Sequence, residues 1–181
     1  NGNINIGGFE KTRFNDNSFD IAVGNVPFGD FKVSDKKYDR YNLKIHDYFF
    51  AMAIDKVRPG GVVALLTSKG TLDKQNESFR RYLAERCDLL GAVRLPNDTF
   101  KASAGTEATS DIIFLQKRDT LTINVPDWVH IGQTADGVPC NNYFINNPSM
   151  ILGRMAFDER MKGKFGEDSS VTTCYSNGQP L

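Results

Sequence analysis

The sequence predicts an α/β fold built on a mostly parallel sheet, with an antiparallel strand near the end. Short, continuously apolar runs alternate with stretches that carry apolar residues at helical spacing. Continuous apolar runs are typical of parallel strands buried on both faces, and the helical stretches are typical of the helices that connect them. The resulting order of strand, helix, strand, helix, strand and strand indicates a βαβ sheet whose final pair is antiparallel.

The elements can be placed in order along the chain. Apolar runs predict four strands, over residues 19–24, 62–67, 89–95 and 111–116. Apolar residues at helical spacing predict two helices, over residues 45–57 and 77–87. Pro59-Gly60-Gly61 is expected to stop the first helix, and a polar loop rich in Lys and Asp, over residues 29–43, precedes that helix.

The chain changes character after about Lys117. Asn, Pro and Gly residues become frequent and break the apolar pattern. Residues 150–161 are expected to form a short helix, whereas residues 169–181 are expected to be a loop or a disordered tail. We therefore divide the chain into a folded part over residues 1–118 and an irregular extension over residues 119–181.

Composition and charge narrow the class of protein. The 181 residues suit one domain, and 22 basic residues balance 22 acidic ones, so this chain alone is expected to bind nucleic acid weakly. No apolar run approaches membrane-spanning length and no signal peptide is visible, so a cytoplasmic protein without a membrane partner is expected. The three cysteines are far apart and form no CxxC or Cys/His cluster, which predicts reduced thiols and no metal site.

The most informative stretch is Asn25-Val26-Pro27-Phe28, directly after the first predicted strand. Open α/β sheets bind ligands at the carboxyl ends of their strands, so this loop lies where such folds carry out chemistry. Pro27 fixes its own φ and restricts Val26 to extended conformations. The Asn25 amide oxygen and the Val26 carbonyl oxygen can then accept both protons of one exocyclic amino group, and Phe28 offers a flat face for stacking on a base.

The stretch over residues 19–29, FDIAVGNVPFG, resembles the signature of amino-group DNA methyltransferases, in which FD, three apolar residues and GN precede two prolines and an aromatic residue. It is most similar to the N6-adenine branch, found in restriction-modification enzymes and in helicase-methylase proteins of mobile elements. The resemblance implies a partial Rossmann-like methyltransferase sheet and methyl transfer from S-adenosylmethionine to the N6 amino group of a flipped-out adenine in DNA. It assigns catalysis to Asn25, Val26, Pro27 and Phe28, and Phe28 also contacts the base.

Val26 stands where the family usually has its first proline. The family uses the backbone carbonyl of that residue, so Val26 retains the acceptor and loses only a rigid ring. A plainer alternative is a strand-to-loop turn in which Gly24 and Asn25 serve backbone geometry alone. The preceding Phe-Asp strand and similar segments downstream favour the methyltransferase interpretation.

Those downstream segments add candidate residues for substrate binding. Arg94-Leu95-Pro96 followed by Phe100 resembles the family segment that supplies a second wall for the flipped adenine; otherwise Phe100 packs under a flexible loop. The small residues over 101–106 are consistent with a mobile loop on the substrate side. Ser68 and Lys69 follow the second strand, where they either contact DNA phosphate or form a simple turn.

The sequence shows little of the motifs with which the family binds its cofactor. Glu10 stands where the family places an acidic residue that contacts the cofactor adenine, although it can equally be a surface acid. The family's glycine-rich cofactor loop precedes the catalytic loop by many tens of residues, whereas 24 residues precede Asn25 here and none form such a unit. Residues 1–118 are therefore interpreted as the later half of a catalytic domain, which belongs to a larger protein and is inactive alone.

The expected partners are DNA and the missing N-terminal half of the parent protein. An incomplete sheet exposes an edge strand and an apolar packing surface, so a homodimer or a swapped sheet is a further expectation. Two other functions stay open. The absent cofactor loop and Val26 favour a non-catalytic methyltransferase-like module for DNA binding or assembly, and a similar loop also serves methylation of RNA or of protein glutamine.

Overall fold

The central sheet of the computed structural model contains four strands among the described residues, which are residue 4 and residues 6–29, 31–160 and 171–178. The strands are β1 (Phe19–Asn25), β2 (Val57–Ser68), β3 (Cys87–Leu95) and β4 (Ser110–Lys117). Their order is β1-β2-β4-β3, with β1 parallel to β2 and β4 antiparallel to both of its neighbours. Three strands therefore run in one direction and β4 runs against them, which confirms the predicted α/β sheet with an antiparallel strand near its end.

Helices cover one face of this sheet. α1 (Ile45–Lys56) and α3 (Ser78–Arg86) correspond to the two predicted helices, and the four-residue α2 (Gly70–Asp73) lies between them in sequence. The core between helices and sheet contains fully buried apolar side chains: Phe50, Ile54, Val63, Leu72, Leu83, Ile113 and Leu115. Each such burial stabilises the fold by roughly 1.5–3 kcal/mol. Among the described residues, no helix has the length and apolarity needed to cross a bilayer.

Pro59-Gly60-Gly61 lies within β2 and does not end a helix, so that prediction is wrong. α1 already ends at Lys56, and the register between β1 and β2 shifts just beyond this point, which marks a bulge in the ladder. Gly60 has a φ of +74°, and a Cβ at Gly61 would lie 2.8 Å from the carbonyl oxygen of Arg58. Both glycines are therefore needed for the bulge.

The opposite face of the sheet is open to solvent. We call it the open face; the strand register places on it Ile21, Val23, Leu66, Ile112 and Phe114. Ile21 is 56% exposed and Val23 is 72% exposed. β1 is also an edge strand of this sheet. The prediction that the parallel strands are buried on both faces is wrong for the part of the chain that the structure describes, because helices cover only one face.

The residues after β4 form short elements of their own. β5 (Ile131–Gln133) pairs with β6 (Pro139–Asn141), α5 (Asn142–Asn146) follows, and β7 (Arg154–Phe157) pairs antiparallel with β8 (Thr172–Tyr175). The helix predicted over residues 150–161 is wrong over residues 151–158, which contain β7, whereas residues 159 and 160 are helical. The loop or tail predicted over residues 169–181 is wrong at β8; residues 161–170 and 179–181 lie outside the described residues.

A buried charge cluster joins the sheet to α2 and to the residues after β4. The Arg94 guanidinium is fully buried and donates two hydrogen bonds of 2.8 Å to the Asp111 carboxylate on the neighbouring strand. It donates a third, of 2.7 Å, to Asp73 at the end of α2, and it lies 4.2 Å from the ring centre of Phe144. Although burial alone would lower the pKa of Arg94, the two carboxylates raise it well above its usual value.

Replacing Arg94 by Met should destabilise the chain strongly, because two carboxylates would remain buried without a compensating charge. We expect the free energy of unfolding in urea to fall by about 3–5 kcal/mol. Arg58→Met is the matched control, since Arg58 forms an exposed ion pair with Asp20 at 2.7 Å and its loss should cost less than about 1 kcal/mol. Equal losses for the two variants would contradict the role given to Arg94.

Candidate active site

The loop after β1 is anchored by a buried valine. The Val26 side chain is 2% exposed, and the Val26 N–H donates a hydrogen bond of 3.0 Å to the carbonyl oxygen of Leu66 on β2. Proline has no N–H and cannot make this bond. Val26 therefore replaces the rigidity of a proline ring with a core contact and a backbone hydrogen bond, and its own carbonyl is retained.

The side chains on either side of this anchor are free to meet a ligand. Asn25 is exposed and its amide forms no hydrogen bond with the described residues. Phe28 is 40% exposed. A cavity of about 330 Å³ lies between them, and its walls are Asn25, Val26, Pro27, Phe28, Leu66, Phe100, Ala104 and Thr106. Gly24 has an ordinary extended backbone, with a φ outside the left-handed region, so no glycine-specific turn shapes the start of the loop.

The second wall of the cavity comes from the far end of the sheet. Phe100 precedes the short helix α4 (Lys101–Ala104), which ends at Gly105 with a φ of +65°. Phe100 is half-buried, and together with Ala104 and Thr106 it faces the four residues of the first loop across the cavity. The structure thus brings together Asn25, Val26, Pro27, Phe28 and Phe100 as the sequence grouped them. Leu66 was missed; its only signal was its place near the end of the second apolar run.

Two of the predicted DNA contacts lie elsewhere. Ser68 ends β2, where it pairs with Ser110 of β4. The Lys69 ammonium points inward and donates a hydrogen bond of 3.0 Å to the Thr172 hydroxyl, and burial lowers its pKa. Neither residue lines the cavity at Asn25. Their contact with DNA phosphate stays a prediction, without support from this geometry.

A comparison with protein families decides the assignment. The model of the family described as N-6 DNA methylase matches residues 3–130, which is most of the chain. The chain belongs to the N-6 DNA methylase family. Its mixed sheet is accordingly the partial Rossmann-like methyltransferase sheet that the resemblance implied.

The chain is also similar to one curated relative and to two solved structures. The chain is 32% identical over 120 residues to defense against restriction protein B of Escherichia phage P1; the match covers 63% of this chain and 5% of the length of that relative. The type I restriction enzyme EcoKI M protein is 21% identical, with a TM-score of 0.43 over 55% of this chain and 21% of that one. A protein of Listeria monocytogenes assigned as a class I S-adenosylmethionine-dependent methyltransferase is 16% identical, with a TM-score of 0.49 over 65% of this chain and 36% of that one.

The described residues before β1 bear on the predicted binding of S-adenosylmethionine. Upstream of β1, the ordered element among residues 6–18 is a 3-10 turn over Phe9–Lys11, and no strand, glycine loop and helix precede β1 there. Glu10 is half-buried, and its carboxylate folds back onto Gly8. It does not line the cavity at Asn25, and one carboxylate cannot hold an adenosine and a sulfonium. Its role at the cofactor stays a prediction.

Substitutions in this loop should differ in their effect on stability, because Asn25 and Phe28 are exposed at the cavity whereas the Val26 side chain is buried. Asn25→Ala and Phe28→Ala should each change the free energy of unfolding by less than about 0.5 kcal/mol, because both side chains are exposed. Val26→Ala should cost about 1–3 kcal/mol, since it empties a buried position. Urea unfolding followed by circular dichroism measures all three. A large loss for Asn25→Ala would show that the asparagine is structural.

Proposed function

We propose that this chain forms the adenine-binding and amino-activating part of an N6-adenine DNA methyltransferase. The observation that carries the proposal is the cavity at the carboxyl end of β1, whose walls include the exposed and unbonded Asn25 amide and two phenylalanines, Phe28 and Phe100. A flat base with an exocyclic amino group fits such a cavity, because the aromatic side chains offer stacking faces and the amide offers an acceptor.

The chemistry proposed for this loop needs no covalent intermediate. The Asn25 amide oxygen and the Val26 carbonyl oxygen each accept one proton of the adenine amino group. Together they raise the electron density on N6 and hold it in one place, so that positioning and hydrogen bonding supply the rate enhancement. The hydrogen bond from Val26 to Leu66 and the burial of its side chain keep that carbonyl fixed.

Phe28 and Phe100 are proposed to hold the flipped base from two sides. Stacking of a base on an aromatic side chain is worth roughly 1–3 kcal/mol, and this offsets part of the cost of removing the base from the duplex. Phe28 comes from the loop after β1 and Phe100 from the segment after β3, so the base is gripped only when both segments are in place.

We further propose that another part of the parent protein covers the open face and carries the methyl donor, S-adenosylmethionine. Two observations support this partner. Exposed side chains of Ile21, Val23 and Phe114 form an apolar surface, and the outer edge of β1 has no partner strand among the described residues. Soluble proteins usually cover such a combination. The chain also spans 5% of the length of its phage P1 relative. DNA as substrate, a division near residue 118 and a cytoplasmic location are parts of the same proposal.

A non-catalytic module is the second candidate function. Its support is that no strand, glycine loop and helix precede β1 among residues 6–18. Such a module would keep the base-binding cavity for DNA recognition or assembly without transferring a methyl group. Methylation of RNA or of protein glutamine is a third candidate function. The loop alone can recognise an amino group, but it does not distinguish the molecule to which that group belongs.

Asn25→Ala in the full parent protein should lower methyl transfer to adenine in duplex DNA by at least about 100-fold, because it removes one of the two proposed acceptors. Transfer of a radiolabelled methyl group to DNA, RNA and a glutamine-containing protein, assayed side by side, measures the rate and the substrate class. Asn124→Ala is the matched control, since Asn124 lies in an exposed loop after β4, and it should leave the rate unchanged. Retained activity in Asn25→Ala would refute the role, and an inactive wild-type parent would favour the non-catalytic module.

Calorimetric titration tests whether S-adenosylmethionine binding needs the upstream part of the parent protein. This chain alone should release no measurable binding heat with S-adenosylmethionine, whereas a complex with the upstream part of the parent protein should bind it. Light scattering should show the mass of a homodimer for the isolated chain, as the exposed edge strand leads us to expect, and a monomeric mass would contradict that expectation. Tight binding by the isolated monomer would contradict the proposal, and binding that appears only with the mass of a dimer would show that a second copy covers the open face.

A further inference from the structure

The segment that carries Phe100 is held at both of its ends by β8. We call residues 97–109, between β3 and β4, the substrate loop. At its start, the Asn97 N–H donates a hydrogen bond of 2.8 Å to the carbonyl oxygen of Cys174. At its end, the Cys174 N–H donates a hydrogen bond of 2.8 Å to the Thr109 hydroxyl oxygen. One residue of β8 thus bridges the two ends of the loop.

Thr109 is the centre of this arrangement. Its hydroxyl also lies 3.0 Å from the Thr173 hydroxyl in a buried hydrogen bond, and its carbonyl oxygen accepts a bond of 3.1 Å from the Lys69 N–H at the end of β2. The Lys69 ammonium in turn bonds to the hydroxyl of Thr172. Three consecutive residues of β8 therefore contact the ends of β2 and β3 and the start of β4, where the walls of the cavity arise.

A further contact joins the substrate loop to a residue between β7 and β8. Arg160, three residues beyond the end of β7, forms an ion pair with Glu107, which also pairs with Lys101 of α4. Within the loop itself, residues 101–107 are exposed and α4 has only four residues. A helix this short has little stability of its own, so the position of Phe100 depends on how the ends of the loop are fixed.

We propose that β8 positions the substrate loop, and that Thr109 and Thr173 are the positioning residues that set Phe100 against the base. The statement that the cavity binds a base rests on the proposed function. The statement that β8 holds the substrate loop in position does not. β8 lies beyond residues 3–130, which the family match covers. β8 and Thr173 therefore come from the extension of this chain, whereas Thr109 and the substrate loop lie within the matched methylase region.

Hydrogen–deuterium exchange of the intact chain tests the mechanical role. Thr109→Val and Thr173→Val keep the side-chain shape but remove the hydroxyls. The reporters are the Lys101, Ala104 and Gly105 amides, which are hydrogen-bonded within the loop; they should exchange about 5- to 30-fold faster in either variant, while the amides of β2 and β4 keep their protection. Thr109→Ser and Thr173→Ser should restore the slow exchange, because serine keeps the hydroxyl.

Thr71→Val is the matched control, since the Thr71 hydroxyl forms a buried hydrogen bond of 2.9 Å with Thr67 and none with β8 among the described residues. It should leave the exchange of the loop amides unchanged. Unchanged loop exchange in both the Thr109 and the Thr173 variant would overturn the proposal. So would an equal acceleration of the loop and the whole sheet, because it would indicate a general loss of stability.

Activity of the parent protein distinguishes the two proposals. If DNA is methylated, Thr173→Val should lower kcat/KM for DNA by about tenfold, with most of the change in KM, and Thr173→Ser should recover it. Thr71→Val should show no such change. If the wild-type parent methylates nothing, the proposed function fails, but the exchange result still decides whether β8 positions the loop.

Discussion

The arrangement of the described residues depends on one buried charge cluster. Arg94 links two neighbouring strands through Asp111 and reaches α2 through Asp73, and its ring contact with Phe144 extends the cluster into the residues after β4. A guanidinium that is fully buried is tolerated only when carboxylates compensate its charge. The same requirement fixes the relative positions of β3, β4, α2 and the extension. The segment that carries Phe100 connects β3 to β4, so its two ends start from strands that this cluster joins.

The candidate site follows from where those strands end. Asn25 is the last residue of β1, Leu66 lies near the end of β2, and Phe100 follows β3. The rigid sheet sets the spacing between them, while the short loops supply the chemistry, as is general for open α/β sheets. Val26 shows how this chain departs from the family: its buried side chain and its N–H bond to the neighbouring strand hold the loop in place of a second proline.

The sheet has two unlike faces. Helices bury one face, while Ile21 and Val23 lie exposed on the other beside an unpaired edge. The candidate loop over residues 25–28 begins at the last residue of the edge strand β1, so whatever covers that strand also approaches Asn25. This placement is why the open face enters the proposed division between base binding here and donor binding elsewhere in the parent protein.

Local pattern alone determined the four strands and the two main helices and singled out the candidate loop over residues 25–28, because apolar runs and an unusual tetrapeptide are properties of neighbouring residues. The resemblance to the family also placed Phe100 near Asn25. Pattern failed where the outcome depended on distant partners: Pro59-Gly60-Gly61 became a bulge through its pairing with β1, and residues 154–157 became a strand through pairing with β8. Only the tertiary structure decided that Lys69 points inward, that one face of the sheet is open, and that β8 holds the substrate loop, since each is set by contacts between residues far apart in sequence.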